Sequence, residues 1–142
     1  MKKRIILADP FLSSKLIGAV KLQLIRQAGD NLFTGYGSGY VAVNGQRYHR
    51  SLVVMPQQVI EDRLAANFEQ LTAGHFEFLL EFDPQIVLLG TGAALRFPPP
   101  GLTRCLTAAR IGLEVMDTSA ACRTYNVLTA EGRNVVAAIL IA

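Results

Sequence analysis

The sequence predicts an α/β fold, built as one three-layer domain with a mixed central β-sheet. Alternating apolar runs separated by glycine turns fill the first half, as is typical of antiparallel hairpins. The second half reads β-α-β-α-β, with short unbroken apolar runs that are typical of strands covered on both faces. Hydrophobic residues make up 51% of the 142 residues and charged residues 18%, which is enough apolar material for a core.

The first residues fall outside this pattern. We assign residues 20–142 to a single domain and residues 1–19 to an N-terminal extension that is poorly ordered or strand-forming. Residues 20–25 alternate as a strand does. Residues 12–25 are also amphipathic and basic, so a membrane-surface or targeting helix is the alternative. The start resembles a signal peptide, but Asp9-Pro10 interrupts an apolar run that is too short for one.

Antiparallel strands open the predicted domain. Residues 31–36 form an apolar run that leads into closely spaced glycines, where a turn or bulge is expected. Residues 40–43 and 46–55 flank Asn44-Gly45, a dipeptide that favours a type I′ turn because both of its residues accept positive φ. Pro56 ends the second arm, since proline cannot donate to a strand ladder.

A short strand at residues 59–64 and a helix follow. Thr72 is expected to cap this helix with its hydroxyl, because a threonine oxygen can accept from the free N–H groups of the first turn. Phe76, Leu79 and Leu80 then lie on one face at helical spacing. The pair Asp83-Pro84 ends the helix.

The second half supplies the parallel part of the sheet. A buried strand at residues 85–89 runs directly into a turn, Gly90-Thr91-Gly92. The prolines at 98–100 with Gly101 are expected to stop regular structure. The remaining predicted elements are a helix at 102–111 closed by Gly112, a strand at 113–116, a helix from Asp117 or Thr118 to about Ala130 with Gly132 as its C-terminal cap, and a buried strand at 135–141.

Charge and cysteine content exclude several function classes. Residues 1–30 carry a net charge of +4, whereas the remaining 112 residues carry −1 and contain no lysine, so we expect no nucleic-acid partner. Two cysteines and two histidines without a CxxC pair give no zinc signature, and we predict no metal and no cofactor. Unpaired thiols fit a cytoplasmic protein, and the alternative is a single disulfide between the two cysteines. No apolar stretch is long enough to span a bilayer.

The candidate site residues lie at the ends of two predicted strands. Gly90, Thr91 and Gly92 could form an anion-binding nest, but a tight packed turn is the plainer interpretation. The dinucleotide fingerprint fails, because a third glycine and an immediate helix are missing, and no P-loop lysine follows.

The second candidate segment begins at Asp117. This carboxylate either belongs to a functional site at the strand end or caps the next helix. Cys122 lies in the first turns of that helix, where the dipole lowers a thiol pKa, and Arg123 follows it; a buried structural cysteine is the alternative. Tyr125 and Asn126 are expected to link the helix to the sheet by hydrogen bonds. His49 and His75 have no sequence link to Cys122, so we name no catalytic residue.

These segments together resemble a known family. The run from Glu114 to Leu128, with the Gly35–Tyr40 turn, the strand end at residues 88–92 and Glu131-Gly132-Arg133, is similar to a small α/β family of uncharacterised bacterial and archaeal domains. That family includes mitochondrial complex I (NADH:ubiquinone oxidoreductase) assembly factor three. The resemblance covers about residues 20–142. It implies a compact three-layer fold with a mixed sheet, protein partners, and no established activity or cofactor.

Two functions follow as hypotheses. The first is a non-enzymatic protein-interaction domain that assists assembly of a respiratory, complex I-like or other membrane complex, located in the cytoplasm or peripherally at the inner membrane. The alternative is a small-molecule or anion binder, or a cryptic enzyme, with its site at Gly90–Gly92, Asp117, Cys122 and Arg123. Homo-oligomerisation stays open.

Overall fold

The structure is a computed structural model that describes residues 29–141. The expected extension at residues 1–19 and the expected strand at 20–25 lie outside the described residues. The described strands are β1 Phe33–Gly37, β2 Tyr40–Val43, β3 Gln46–Tyr48, β4 Leu52–Met55, β5 Gln58–Glu61, β6 Ile86–Thr91, β7 Gly112–Met116 and β8 Val135–Leu140. The α-helices are α1 Ala73–Leu79, α2 Pro100–Ala108 and α3 Thr118–Ala130.

The hairpin part forms a sheet of its own. Strands β1, β2 and β3 are antiparallel in that order, with a bulge in β1 between Phe33 and Gly35. Asn44 and Gly45 join β2 to β3 with φ angles of 52° and 86°, so both central residues of the turn have the predicted positive φ. The prediction of one continuous strand over residues 46–55 is wrong. The chain breaks after Tyr48, because β4 leaves the small sheet and pairs in the larger one.

The larger sheet has five strands in the order β5-β4-β8-β6-β7. Strands β6, β7 and β8 are parallel, and β4 pairs antiparallel with both β8 and β5, so the predicted mixed sheet is confirmed. The predicted β-α-β-α-β order corresponds to β6, α2, β7, α3 and β8. All six residues of β8 are buried, which explains its unbroken apolar sequence.

Two cores give the fold its three layers. On one face of the larger sheet, α1 and α2 contribute Phe76, Leu79 and Leu106 to a cluster with Val87 and Val136. On the other face, α3 and the small sheet pack against the strands in a second cluster that includes Phe33, Val41, Ala121, Cys122 and Tyr125. The two sets of sheet residues alternate along each strand, as the pleat requires.

Helix boundaries show where local signals compete. Pro100 was expected to stop regular structure but occupies the first turn of α2, where its missing N–H breaks no helical hydrogen bond. The predicted end at Ile111, closed by Gly112, is also wrong. Arg110, with φ of 62°, follows the helix instead, and Ile111 N–H donates to Leu106 C=O at 2.9 Å. Gly112 therefore begins β7.

Thr72 and His75 form a capping box at the start of α1. Thr72 stands at the N-cap as predicted, and its backbone N–H donates to His75 Nδ1 at 3.0 Å. The α-helix ends at Leu79, earlier than predicted, and a 3-10 turn at Leu80–Phe82 carries the chain to Asp83. The predicted strand at 59–64 is shortened to β5, which ends at Glu61.

Candidate functional site

Strands β6 and β7 bring the two predicted site segments to one edge of the sheet. They are parallel neighbours, and Gly90 lies opposite Met116 in their register. The residues that follow each strand therefore emerge side by side. Both segments thus lie at the carboxyl ends of neighbouring parallel strands.

Gly90 serves packing rather than the turn. Strand β6 continues through Thr91, so the turn begins at Gly92, whose φ is 96°. A Cβ on Gly90 would lie 3.0 Å from Thr118 Oγ1 and 3.1 Å from both Ala121 Cβ and Ile139 Cδ1. The glycine therefore allows α3 to approach the sheet closely.

Thr118 connects two strands to α3 and was not singled out from the sequence. Its buried hydroxyl accepts from Gly92 N–H at 2.8 Å and donates to Leu140 C=O at 2.6 Å. Its own N–H donates to Gly92 C=O at 2.9 Å. A hydroxyl on the first helical residue after a strand was the only signal for this role. Thr118 thus ties the ends of β6 and β8 to the start of α3.

Thr91 shapes the loop that follows β6. The residue is buried, and its Oγ1 donates to Ala94 C=O at 2.7 Å and accepts from Arg96 N–H at 3.2 Å. The same oxygen lies 3.3 Å from Met116 C=O at the end of β7. The polar groups of Thr91 and Gly92 are therefore engaged in contacts within the fold.

Asp117 is the N-cap of α3. Its Oδ1 accepts from Ala120 N–H at 2.9 Å, so the capping interpretation describes its contact. A carboxylate at this position already supplies the negative charge that a helix start favours. It also repels a second anion from the same place.

Cys122 faces the core beneath α3. Its side chain is buried, and this burial raises the pKa of the thiol to about 12, against a smaller opposing effect from the charge of Arg123. The thiol form therefore dominates near neutral pH, where a nucleophile needs the thiolate. His75 lies on α1, which packs on the opposite face of the sheet.

The exposed side of α3 carries Arg123. Its Nη1 donates to Tyr36 Oη on β1 at 2.9 Å, and its guanidinium carbon lies 5.8 Å from the centre of that ring. The hydrogen bond to Tyr36 is the main cause that raises the pKa of Arg123 above its usual value. Helix α3 is thereby linked to the small sheet at its surface.

Two further residues of α3 make the same link below the surface, as the sequence predicted. Tyr125 is buried, donates from Oη to Asn31 C=O at 2.9 Å, and meets the Phe33 ring edge-on with centroids 5.2 Å apart. Burial is the main cause that raises the pKa of Tyr125. Asn126 bonds both backbone groups of Phe33. The long polar run of α3 therefore holds the two sheets together.

A small cavity lies where these segments meet the hairpin turn. Its volume is about 150 Å³. Tyr36, Tyr40 and the glycine turn between them form one wall, and Gly92, Thr118 and Ser119 form the other. Of the predicted site residues, Gly92 borders the cavity, whereas Cys122 lies in the core. Within residues 29–141, no group of three or more His, Cys, Asp or Glu side chains is placed to hold a metal ion.

Comparison with known proteins identifies relatives across this whole region. A family model described as "Protein of unknown function (DUF498/DUF598)" matches residues 33–140. The "13 kDa major membrane protein" of Francisella tularensis subsp. holarctica is 30% identical over 110 residues, which cover 76% of this chain and 89% of that protein. The bovine NADH dehydrogenase [ubiquinone] 1 alpha subcomplex assembly factor 3 is 32% identical over 107 residues, which cover 74% of this chain and 58% of that protein.

Solved structures agree with the sequence relatives. A crystal structure of a Bordetella parapertussis protein superposes with a TM-score of 0.75 at 36% identity, covering 79% of this chain and 96% of that one. A Bordetella pertussis protein described as an Mth938-like domain gives a TM-score of 0.67 at 31% identity, covering 78% and 85%. Because the family model spans the strands and helices from β1 to β8, the chain belongs to the DUF498/DUF598 family of proteins of unknown function.

Proposed function

We propose that this chain is a non-enzymatic protein-interaction domain that assists assembly of a respiratory, complex I-like or other membrane complex. Its similarity to complex I assembly factor 3 from several animals supports the assembly role. The alignment covers 58% of the length of the bovine assembly factor. The proposal therefore concerns an assembly role in general and names none of the partners of the whole animal protein.

One surface carries the proposal, and we call it the Tyr36 surface: Tyr36, Arg123 and Val127. Val127 follows Arg123 by one helical turn, and its side chain is 58% exposed. Tyrosine and arginine are the residue types that most often dominate binding energy at protein interfaces. Their mutual hydrogen bond at 2.9 Å holds both side chains in place, which lowers the entropy lost on binding.

Two variants test this surface. Val127→Glu places a charge on the Tyr36 surface, and Thr107→Glu places the same charge at an exposed position of α2, on the opposite face of the sheet. Tagged chains are expressed in the source organism and recovered after mild crosslinking. We expect wild type and Thr107→Glu to recover subunits of a membrane complex, and Val127→Glu to recover none of them. Recovery of no such subunit with wild type contradicts the proposal.

The proposed location is the cytoplasm, at the periphery of the inner membrane. Within the described residues, no helix has the length and apolar character needed to cross a membrane. One relative is named a major membrane protein, which supports association with a membrane or with a complex embedded in it. Cell fractionation with a salt wash measures this: a peripheral protein leaves the membrane fraction when its contacts are screened.

The alternative proposal is a small-molecule or anion binder with a site at Gly90, Thr91, Gly92, Asp117, Cys122 and Arg123. The cavity of about 150 Å³ beside Gly92 and Thr118 is the observation that favours it. A thermal-shift screen with phosphate, small carboxylates and nucleotides tests it, since a ligand bound only by the native state raises the melting temperature. Absence of any shift argues against this alternative and leaves the assembly proposal unaffected.

A further inference from the structure

The loop between β6 and α2 presents two large apolar side chains to solvent. We call residues 93–97 the Phe97 loop. Phe97 is 70% exposed and Leu95 is 51% exposed, the first being the highest value for a large apolar side chain in the described part of the chain. The other two exposed side chains of this kind, Tyr36 and Val127, belong to the Tyr36 surface. Adjacent exposed apolar groups of this size mark interaction surfaces more often than isolated ones do.

The Phe97 loop is held in a fixed conformation. Thr91 Oγ1 bonds Ala94 C=O and Arg96 N–H, as described above. The guanidinium of Arg96 lies 2.6 Å from Glu69 Oε2 and stacks 4.2 Å from the centre of the Phe68 ring. These contacts order the loop before any partner arrives, so association costs little further loop entropy.

A hollow of side-chain size opens beside the loop. It has a volume of about 180 Å³ and lies between the loop and the 3-10 turn Phe68–Gln70, with Phe68, Leu140 and Ile141 as its apolar walls. An apolar cavity of roughly 150 Å³ is large enough to bind benzene. By volume the hollow has room for one phenyl ring, and its remaining walls are polar, with Asn67, Glu69, Thr91 and Arg96 among them.

The projecting ring and the hollow belong to one patch, because Arg96 precedes Phe97 in the Phe97 loop and also lines the hollow. A two-fold symmetric interface requires such a self-complementary patch, since each copy contributes the same residues. The charges agree with this arrangement. Glu69 neutralises Arg96 within each copy, so two copies meet without like-charge repulsion, whereas an anionic membrane surface would require free cations.

We propose that two copies of this chain pair through this patch, with Phe97 of each copy seated in the hollow of the other. The inference concerns a different surface from the one proposed for assembly partners. The pairing proposal and the assembly proposal can therefore each fail without affecting the other.

Sedimentation of the full chain over a wide concentration series tests the pairing. We expect reversible dimerisation, and a Kd raised about tenfold or more by Phe97→Ser, which corresponds to a loss of at least about 1.4 kcal/mol, as truncation of a central anchor gives. Val127→Ser removes another exposed apolar group, from the Tyr36 surface, and should leave the Kd unchanged. A monomer at every concentration, or a dimer that Phe97→Ser does not weaken, overturns the proposal.

Crosslinking identifies the contact independently of affinity. Phe97→Cys and Asn67→Cys are made separately on a Cys105→Ser background, because Cys105 is partly exposed. Mixing the two under mild oxidation should give the mixed disulfide dimer, since Asn67 borders the hollow. Pairing Phe97→Cys with Gln57→Cys, an exposed residue in the turn between β4 and β5, serves as the control. Equal yields from both mixtures would show that the ring does not enter the hollow.

Discussion

The single side chain of Asn126 satisfies both backbone polar groups of Phe33. Its Oδ1 accepts from Phe33 N–H at 3.0 Å, and its Nδ2 donates to Phe33 C=O at 2.8 Å. The amide thus supplies the two hydrogen bonds that a neighbouring strand would otherwise form with β1, at a position where β1 faces a helix.

Asn126→Ala should destabilise the fold by about 2–3 kcal/mol, because it leaves two partly buried backbone groups without partners. Asn126→Asp keeps the acceptor but sets a carboxylate oxygen against Phe33 C=O in place of the N–H donor, so it should not recover the stability lost in Asn126→Ala. Urea unfolding measures both. Gln57→Ala, at an exposed turn, should change the free energy of unfolding by less than about 0.5 kcal/mol. A similarly small change for Asn126→Ala would contradict the role given to this amide.

Thr118→Val should cost about 2–4 kcal/mol, since the substitution keeps the shape but strands a buried N–H at Gly92 and a buried C=O at Leu140. Thr118→Ser retains the hydroxyl and should recover most of the loss. The comparison of the two variants by thermal unfolding separates hydrogen bonding from packing. If serine and valine are equally destabilising, the hydroxyl is not the cause.

Gly90 and Gly101 should respond to alanine with opposite signs. At Gly90 the added methyl meets three atoms at 3.0–3.1 Å, so overpacking should cost about 1–3 kcal/mol. At Gly101, inside α2, nothing lies within 4 Å of the added Cβ, and alanine should stabilise by about 0.5–1 kcal/mol through its helix propensity. Denaturant midpoints of the two variants check this contrast.

Cys122 should resist thiol reagents in the native state, whereas the partly exposed Cys105 reacts. Labelling of the Cys105→Ser variant with a thiol-reactive dye measures Cys122 alone; rapid labelling without denaturant would refute its burial.

The same thiol makes stability depend on pH. Its folded pKa of about 12 exceeds its unfolded value of about 9, so the folded state keeps the proton longer. The stabilising contribution is complete below pH 9 and is lost as pH rises towards 12. Comparing the unfolding free energy of wild type and Cys122→Ala across this range isolates the thiol, because Tyr125 titrates in both proteins.

Sequence reasoning identified the elements whose causes are local. Asn44-Gly45 accepts positive φ, Asp117 caps the helix that it precedes, and the apolar run of β8 predicts burial on both faces. These signals act within a few residues, so neighbouring sequence is sufficient to recognise them.

Features that depend on distant partners were missed. The break between β3 and β4 arises because β4 pairs with β8, which lies more than eighty residues further along the chain. The role of Thr118 depends on Gly92 and Leu140, which precede and follow it by 26 and 22 residues. The sequence within a few residues of each position contains no signal for such long-range contacts. The same limit applies to the site residues, whose assignment to a ligand stays a proposal.

The central position of β8 also determines when this fold can form during synthesis. β8 lies between β4 and β6, yet it follows both of them along the chain. A nascent chain emerging from a ribosome therefore holds two halves of a sheet with facing, unpaired edges until residues 135–140 have been translated. Such edges invite pairing with other chains. Translational pausing ahead of this segment should thus favour aggregation, and a chaperone that shields nascent strands should counteract it.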